Sequence, residues 1–329
     1  MLNPFKSGGL GRVISLFRAR PPAEQPSSPD ALPEDLQAGP WATPAWRQLS
    51  KQSLFIIGHA RSGTTVLQNA LNGADGIYLF GEAHFFLDEG SPDFRERYNR
   101  SHESNGNQPT KSTVCPAAFE GDARWCDYLF HLSHLFRFVG DKIVINPEHR
   151  QFHCEMLMDF MAARFYDGHF IFCFRNPVGV LVSVRAFQGY VNGSQSDWKD
   201  VLISYLLVIR LYCAMVRLFP NVHAVFHEDP SRECFDKIGQ SLGMDLSHVN
   251  AYYDSKHVYA RSITDVPEEV RDRVTEAERL YTELRELVRD GIALPQIEQN
   301  RFNISATHFT PLGKLYNATE RLLRDLGAA

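Results

Sequence analysis

The stretch S-L-F-I-I-G-H-A-R-S-G-T-T-V-L-Q-N-A-L, Ser53 to Leu71, most constrains what this chain can fold into. A continuous apolar run ends at Gly58, and Gly63, five residues on, opens a helical pattern. A short apolar run bounded by glycine reads as a buried strand. Glycine at both brackets permits backbone conformations and close approaches that side chains forbid. The amides of Arg61 to Thr65 are then expected to face the hollow of the turn, at the positive end of the following helix dipole. Thr64 and Thr65 add hydroxyl donors. Such a loop suits a phosphate; the alternative is a plain strand-to-helix turn in which Ser62 and the threonines are caps. It is not a Walker A loop, because Thr64 follows Gly63 where that pattern has Lys. A nucleoside triphosphate is therefore not the natural ligand. Arg61 offers a cation on the other side of the turn.

The rest of the chain alternates in the same way. Short apolar runs at Leu54–Ile57, Ile77–Phe80, Ile143–Ile145, Phe170–Phe174 and Val222–Phe226 read as strands. Segments with helical spacing separate them: Thr64–Leu71, Phe152–Phe165, Val178–Phe187, Trp198–Leu218 and Ser231–Leu242. Apolar runs without alternation suit strands covered on both faces. The fold class expected is α/β: three layers, a central parallel sheet of about five strands, helices on both faces. Residues 1–45 hold eight of the 18 prolines and read as a disordered or extended leader. Residues 46–329 are expected to form one domain, with a polar insertion at 91–124 beside the acceptor site. Pro267 to Asp290 reads as an amphipathic helix with Val270, Val274, Leu280 and Leu284 on its apolar stripe and its charges on a solvated face.

Composition excludes several classes. Hydrophobic residues make up 44% and charged residues 22% of 329, which rules out collagen-like and wholly disordered chains. A net charge of -5 argues against a nucleic-acid coat, so no nucleic-acid partner is expected and any anion site must be local. The six cysteines contain no C-x-x-C pair, against zinc ribbons and thioredoxin-like motifs. Cys115 and Cys126 are the one pair considered for a disulfide in an oxidising compartment. The longest apolar stretch, Val201 to Phe219, is interrupted by Arg210 and Arg217, so no membrane span is expected. The N-terminal arm carries Lys6, Arg12, Arg18 and Arg20 and reads as a disordered arm or a weak peripheral membrane element. A cytoplasmic location is expected, with that peripheral contact left open.

The G-H-A-R-S-G-T-T loop resembles the 5′-phosphosulfate loop of sulfotransferases that use 3′-phosphoadenosine 5′-phosphosulfate (PAPS). The resemblance implies a P-loop kinase-like fold and a second phosphate site after a later strand, as R-x-P followed by Ser. Here F-I-F-C-F-R-N-P-V-G-V-L-V-S supplies Arg175, Pro177 and Ser183. Arg175 is able to make a bidentate phosphate contact. F-P-N-V-H-A-V-F-H-E-D-P resembles the family's later Tyr-Glu-Asp segment, with His227 in the Tyr place. The similarity runs from about Phe55 to Asp290.

On this resemblance Arg61, Ser62, Gly63, Thr64, Thr65, Arg175 and Ser183 bind PAPS as co-substrate, and no metal is required. The implied reaction is in-line sulfuryl transfer to a hydroxyl of a carbohydrate, small molecule or lipid alcohol. Arg61 would take charge on the leaving phosphate. Glu82, after Ile77–Phe80 in L-F-G-E-A-H, is the preferred base, in a pocket with Phe80, Phe85 and Phe86; His84 is the rival. Lys142, in G-D-K-I-V-I-N-P, is similar to the family's Lys-Thr-Pro segment but carries three extra residues before Asn-Pro. The R-K-G-x-x-G-D-W segment of aryl members is absent. Trp198 and Tyr190 are candidates for adenine stacking. Two alternatives stay open: a small-molecule kinase, disfavoured by the missing Lys, and a non-catalytic nucleotide-binding module at a membrane surface.

Overall fold

A computed structural model describes residues 44–82, 125–192, 196–228, 232–252, 261–289 and 310–328. Five strands form one sheet: β1 (Leu54–His59), β2 (Ile77–Gly81), β3 (Phe138–Ile145), β4 (His169–Phe174) and β5 (Asn221–Phe226). Their order is β2-β3-β1-β4-β5 and every pairing is parallel. The α/β architecture expected from the alternation is the one observed, and it is consistent with the P-loop kinase-like fold that the resemblance implied. Helices α1 (Pro44–Lys51), α2 (Thr64–Asn72), α3 (Trp125–Leu135), α4 (Gln151–Arg164), α5 (Pro177–Asn192), α6 (Trp198–Leu218), α7 (Arg232–Leu242), α8 (Glu268–Arg289) and α9 (Pro311–Asp325) surround it.

The two-residue period of the strands divides the core into two clusters. Phe55 and Ile57, Val139 and Ile143, Phe170 and Phe172 face one side, against α1, α3, α4, α5, α6, α8 and α9. Leu54 and Ile56, Phe138, Ile171 and Cys173 face the other, against α2, α7 and the 3-10 turn Ser247–Tyr252. Helix α6 is the one described helix long and apolar enough to cross a membrane, and most of it is buried inside the fold. At the sheet edge, Leu79 of β2 donates its amide to Asn72 Oδ1 at 2.8 Å and accepts from Gln68 and Asn72, so α2 satisfies backbone groups that no strand pairs.

Parallel strands put all five carboxyl ends on one edge. The helix after β1 lies on one face, and the helices after its neighbours β3 and β4 lie on the other. That divergence opens a crevice at the edge, where α/β sheets take ligands. The strand β3 begins five residues earlier than the apolar run Ile143–Ile145 suggested. Gly140, Asp141 and Lys142 break the run in sequence, yet Asp141 and Lys142 are buried. The sequence pattern gives no reading of the helices α1, α3 and α9, and α8 (Glu268–Arg289) falls one residue inside the expected Pro267–Asp290 at each end. Residues 1–43 of the expected 1–45 leader, the 91–124 insertion and Cys115 lie outside the described residues, as do His84, Phe85, Phe86 and the side chains of Cys126 and Tyr190; the last two leader residues, Pro44 and Ala45, instead begin α1.

Candidate functional site

The loop after β1 turns tightly. Ser62 donates both its amide, at 3.2 Å, and its hydroxyl, at 2.7 Å, to the His59 carbonyl. Its hydroxyl therefore braces the turn and is buried. Ala60 donates its amide to Ile145 at the end of β3, and Cys173 Sγ donates to the Ser62 carbonyl at 3.1 Å. Gly63 has φ 94, and a Cβ there would lie 2.4 Å from His227 Nδ1. Only glycine fits that contact. Gly63 supplies no side chain to cap α2, so the first amides of that helix are left for an anion.

His59 forms the floor of the loop. Its ring is fully enclosed, and burial pushes its pKa down to about 4. The neutral ring donates Nδ1–H to the Ala60 carbonyl at 2.8 Å, which leaves Nε2 to accept from the Ser204 hydroxyl of α6, also at 2.8 Å.

Arg61 and Glu82 are the two non-glycine residues with positive φ among those described, at 66° and 63°. Such backbone costs about 1–3 kcal/mol each and clusters at functional sites. Glu82 directly follows β2, and Arg61 is the second residue after β1. Arg61 does not extend along the helix axis; its Nε donates to Ser183 Oγ at 3.2 Å, and its guanidinium lies 4.9 Å over the half-exposed ring of Phe187. Arg175, at the end of β4, donates Nη1 to the Arg61 carbonyl at 3.1 Å. The two anion grips read separately in sequence, near residue 61 and near 175–183, are thus one continuous patch.

That patch is strongly cationic. The Arg175 pKa is lowered first by burial, and Arg61 and Arg261 lower it further against the opposing pull of Glu228. Three neighbouring guanidiniums face one carboxylate, an arrangement that a bound anion relieves. Arg261 was missed in sequence: it lies in no motif, and only the 3-10 turn Ile263–Asp265, packed on α5, brings it near. His227 sits against Gly63, and burial and Arg175 lower its pKa.

A second group lies on the other side of the loop. In β3 Lys142 shares strand parity with Phe138 and so faces α2. Its Nζ donates to Thr65 Oγ1 at 3.0 Å and pairs with Glu82 Oε1 at 2.8 Å. Alternation along β2 would send Glu82 to the opposite face, with Phe80. The left-handed turn at Glu82 redirects it toward Lys142, while its amide donates to the Lys142 carbonyl at 3.0 Å. The side chain of Lys142 is 6% exposed and that of Glu82 43%, so the cation is fixed and the carboxylate is reachable.

The pocket of Phe80 around Glu82 is corrected: Phe80 is in the core, 1% exposed, and an ammonium lies beside the carboxylate instead. Trp198 stacks under Arg185 at 4.4 Å. His149 and His153 donate no ring proton from Nδ1: each accepts a backbone amide there at 2.9 Å, from Asn146 and Arg150.

Fold and site together define an α/β protein with a glycine-bracketed strand-to-helix loop, an arginine patch on one side of the loop and a carboxylate–ammonium pair on the other. The family model described as "Sulfotransferase family" matches residues 53–236, more than half of the chain. The chain belongs to the sulfotransferase family, a family of transferases that move a sulfuryl group. No curated relative matches the sequence. Among solved structures, the chain is similar to the sulfotransferase domain from the Synechococcus PCC 7002 olefin synthase, with a TM-score of 0.44 and 17% identity over 84% of this chain and 94% of that one.

Proposed function

We propose that this protein transfers the sulfuryl group of PAPS to a hydroxyl of a carbohydrate or another alcohol. The observation that carries the reading is the contact of Arg61 with both Ser183 and Arg175, which joins the two anion grips into one donor cradle. The α2 amides and Thr64 receive the 5′-phosphosulfate. Arg175, Ser183, Arg261 and the turned guanidinium of Arg61 receive the 3′-phosphate. The sequence assignment of Arg61 to the leaving phosphate is thereby revised, because its side chain lies on the far side of the loop from Lys142. The exposed ring of Phe187, beside that guanidinium, is the better candidate for an adenine contact than Trp198, whose face Arg185 covers.

Glu82 takes the proton of the acceptor hydroxyl as the acceptor oxygen attacks sulfur. The bond from sulfur to the bridging oxygen breaks, and its electron pair stays on the phosphate. Lys142, fixed between Thr65 and Glu82, faces the charge that moves through the transferring group. An acceptor hydroxyl displaces the half-exposed carboxylate from its lysine and replaces that contact. A cytoplasmic location and weak membrane contact through the basic arm belong to the same proposal.

Incubation of the protein with sulfur-labelled PAPS and a panel of sugars, phenols and fatty alcohols tests it. Label transferred to an alcohol, with 3′,5′-adenosine bisphosphate released in equal amount, is the expected result. Tight bisphosphate binding with no transfer to any of the panel would favour the non-catalytic module.

A further inference from the structure

The helix α8 is not only a solvated support. Its outer face carries a surface ladder, Arg279 with Glu276 and Glu283. Glu278 and Tyr281, three residues apart and so on one face, point inward to the turn between β4 and α5. Tyr281 is 5% exposed, and its hydroxyl donates to Glu228 Oε2 at 2.7 Å. Glu228 Oε1 accepts the Asn176 amide at 2.7 Å and lies 4.0 Å from Arg175 Nε. Glu278 Oε1 accepts from Asn176 Nδ2 at 2.9 Å. Asn176 Oδ1 in turn caps α5 through the amide of Val178 at 2.9 Å. From α6, Tyr205 donates its hydroxyl to the Arg175 carbonyl at 2.9 Å.

We infer that Tyr281 and Glu278 are positioning residues that set donor specificity: through Glu228 and Asn176 they hold Arg175 in the orientation that recognises a 3′-phosphate. Both oxygens of Glu228 are engaged, one by Tyr281 and one by the turn, so loss of the Tyr281 hydroxyl frees the carboxylate to rotate. A rotated Glu228 has two outcomes on Arg175: it closes to a direct ion pair and competes with phosphate, or it withdraws and leaves the guanidinium without its guide. Either lowers affinity for the 3′-phosphate and spares the 5′-side, whose amides lie on α2. The position of Arg175 itself is narrow, because its Nε is 3.2 Å from where a Cβ on Gly179 would stand. This inference rests on the PAPS reading of the cradle.

The test is calorimetric titration of the full chain with 3′,5′-adenosine bisphosphate and with 5′-AMP, which lacks the 3′-phosphate. Tyr281→Phe keeps the ring that packs on Phe226 and removes one hydroxyl. It is expected to weaken the bisphosphate about tenfold and leave 5′-AMP unchanged, the usual size for one hydrogen bond to a charged group. Glu278→Ala is expected to shift the same ratio in the same direction. Val274→Ala, which removes buried apolar surface from the same helix, is expected to lower the unfolding temperature without shifting the ratio. An unchanged ratio in Tyr281→Phe, or an equal shift in Val274→Ala, overturns the inference while the PAPS reading stands. A wild-type protein that binds the two nucleotides equally overturns both.

Discussion

The two sides of the phosphate loop are built differently. On the Arg175 side, α5, α6, α8, the end of β5 and the loop itself all contribute hydrogen bonds to one turn. On the Glu82 side, among the described residues, one ion pair, one hydroxyl and the Glu82 amide on the Lys142 carbonyl join β2, β3 and α2. The first side is embedded in packing, so its geometry exists before any ligand arrives. The second exposes its carboxylate and depends on a single buried lysine. On the proposed function, donor recognition is then a property of the fold, and the chemistry a property of a few replaceable side chains.

Substitutions on the chemical side should therefore leave binding intact and remove turnover. Glu82→Gln keeps a similar shape and is expected to cut turnover by about 10²–10⁴-fold, the range for loss of a general base, with bisphosphate affinity unchanged. Steady-state rates and titration of the same preparation check both halves of that statement. Unchanged turnover would move the base to His84 or elsewhere. Lys142→Ala is expected to cost about 10²–10³-fold in turnover, the scale for one preorganised donor to developing charge. It should also release Glu82 from its strained backbone, visible as faster amide exchange at the end of β2.

The embedded side should instead reveal itself through folding. His59 has its pKa lowered to about 4 in the folded state against 6.5 for an ordinary imidazole. Between those values the unfolded chain binds the proton and the folded chain does not. Stability is then full above pH 6.5 and falls with pH down to about 4, by roughly 3 kcal/mol from this ring. His223, lowered to about 4 by burial, adds to the same slope. Urea unfolding across this range should show a shallower loss in His59→Gln than in the wild type; parallel slopes would mean that the ring is not buried neutral. Arg61→Ala is the smallest change, about tenfold in bisphosphate affinity for a lost contact to charge, with 5′-AMP less affected. An equal loss for both nucleotides would return Arg61 to the 5′-side.

The same contrast explains what the sequence made legible. The alternation of apolar runs and helical segments shows the sheet, because parallel strands buried on both faces write themselves as uninterrupted hydrophobic runs. It understated β3, where Asp141 and Lys142 are buried and charged. The loop and its Arg175–Ser183 counterpart were readable because glycine, arginine and proline at strand ends have few other uses. Glu82 and Lys142 were picked out individually, but their pairing was not, since it depends on parallel register, Gly81 beside Lys142, and on a left-handed turn. Tyr281 and Arg261 left no local signal, and Glu228 stood only in the H-E-D segment, with nothing there to name its partners. Each lies more than 50 residues from the turn in the chain, and Glu278 and Tyr281 sit on α8 beside its apolar stripe, where one reads as a solvated charge and the other as core.

The central claim is that a single doubly phosphorylated adenosine spans the loop and the Arg175 patch. Calorimetric titration of wild type and Arg175→Ala with 3′,5′-adenosine bisphosphate and 5′-AMP tests it most directly. The account predicts a strong wild-type preference for the bisphosphate, reduced about 10- to 100-fold in the variant by loss of a charge-assisted contact, with 5′-AMP binding retained. A preference that survives intact in Arg175→Ala would contradict it.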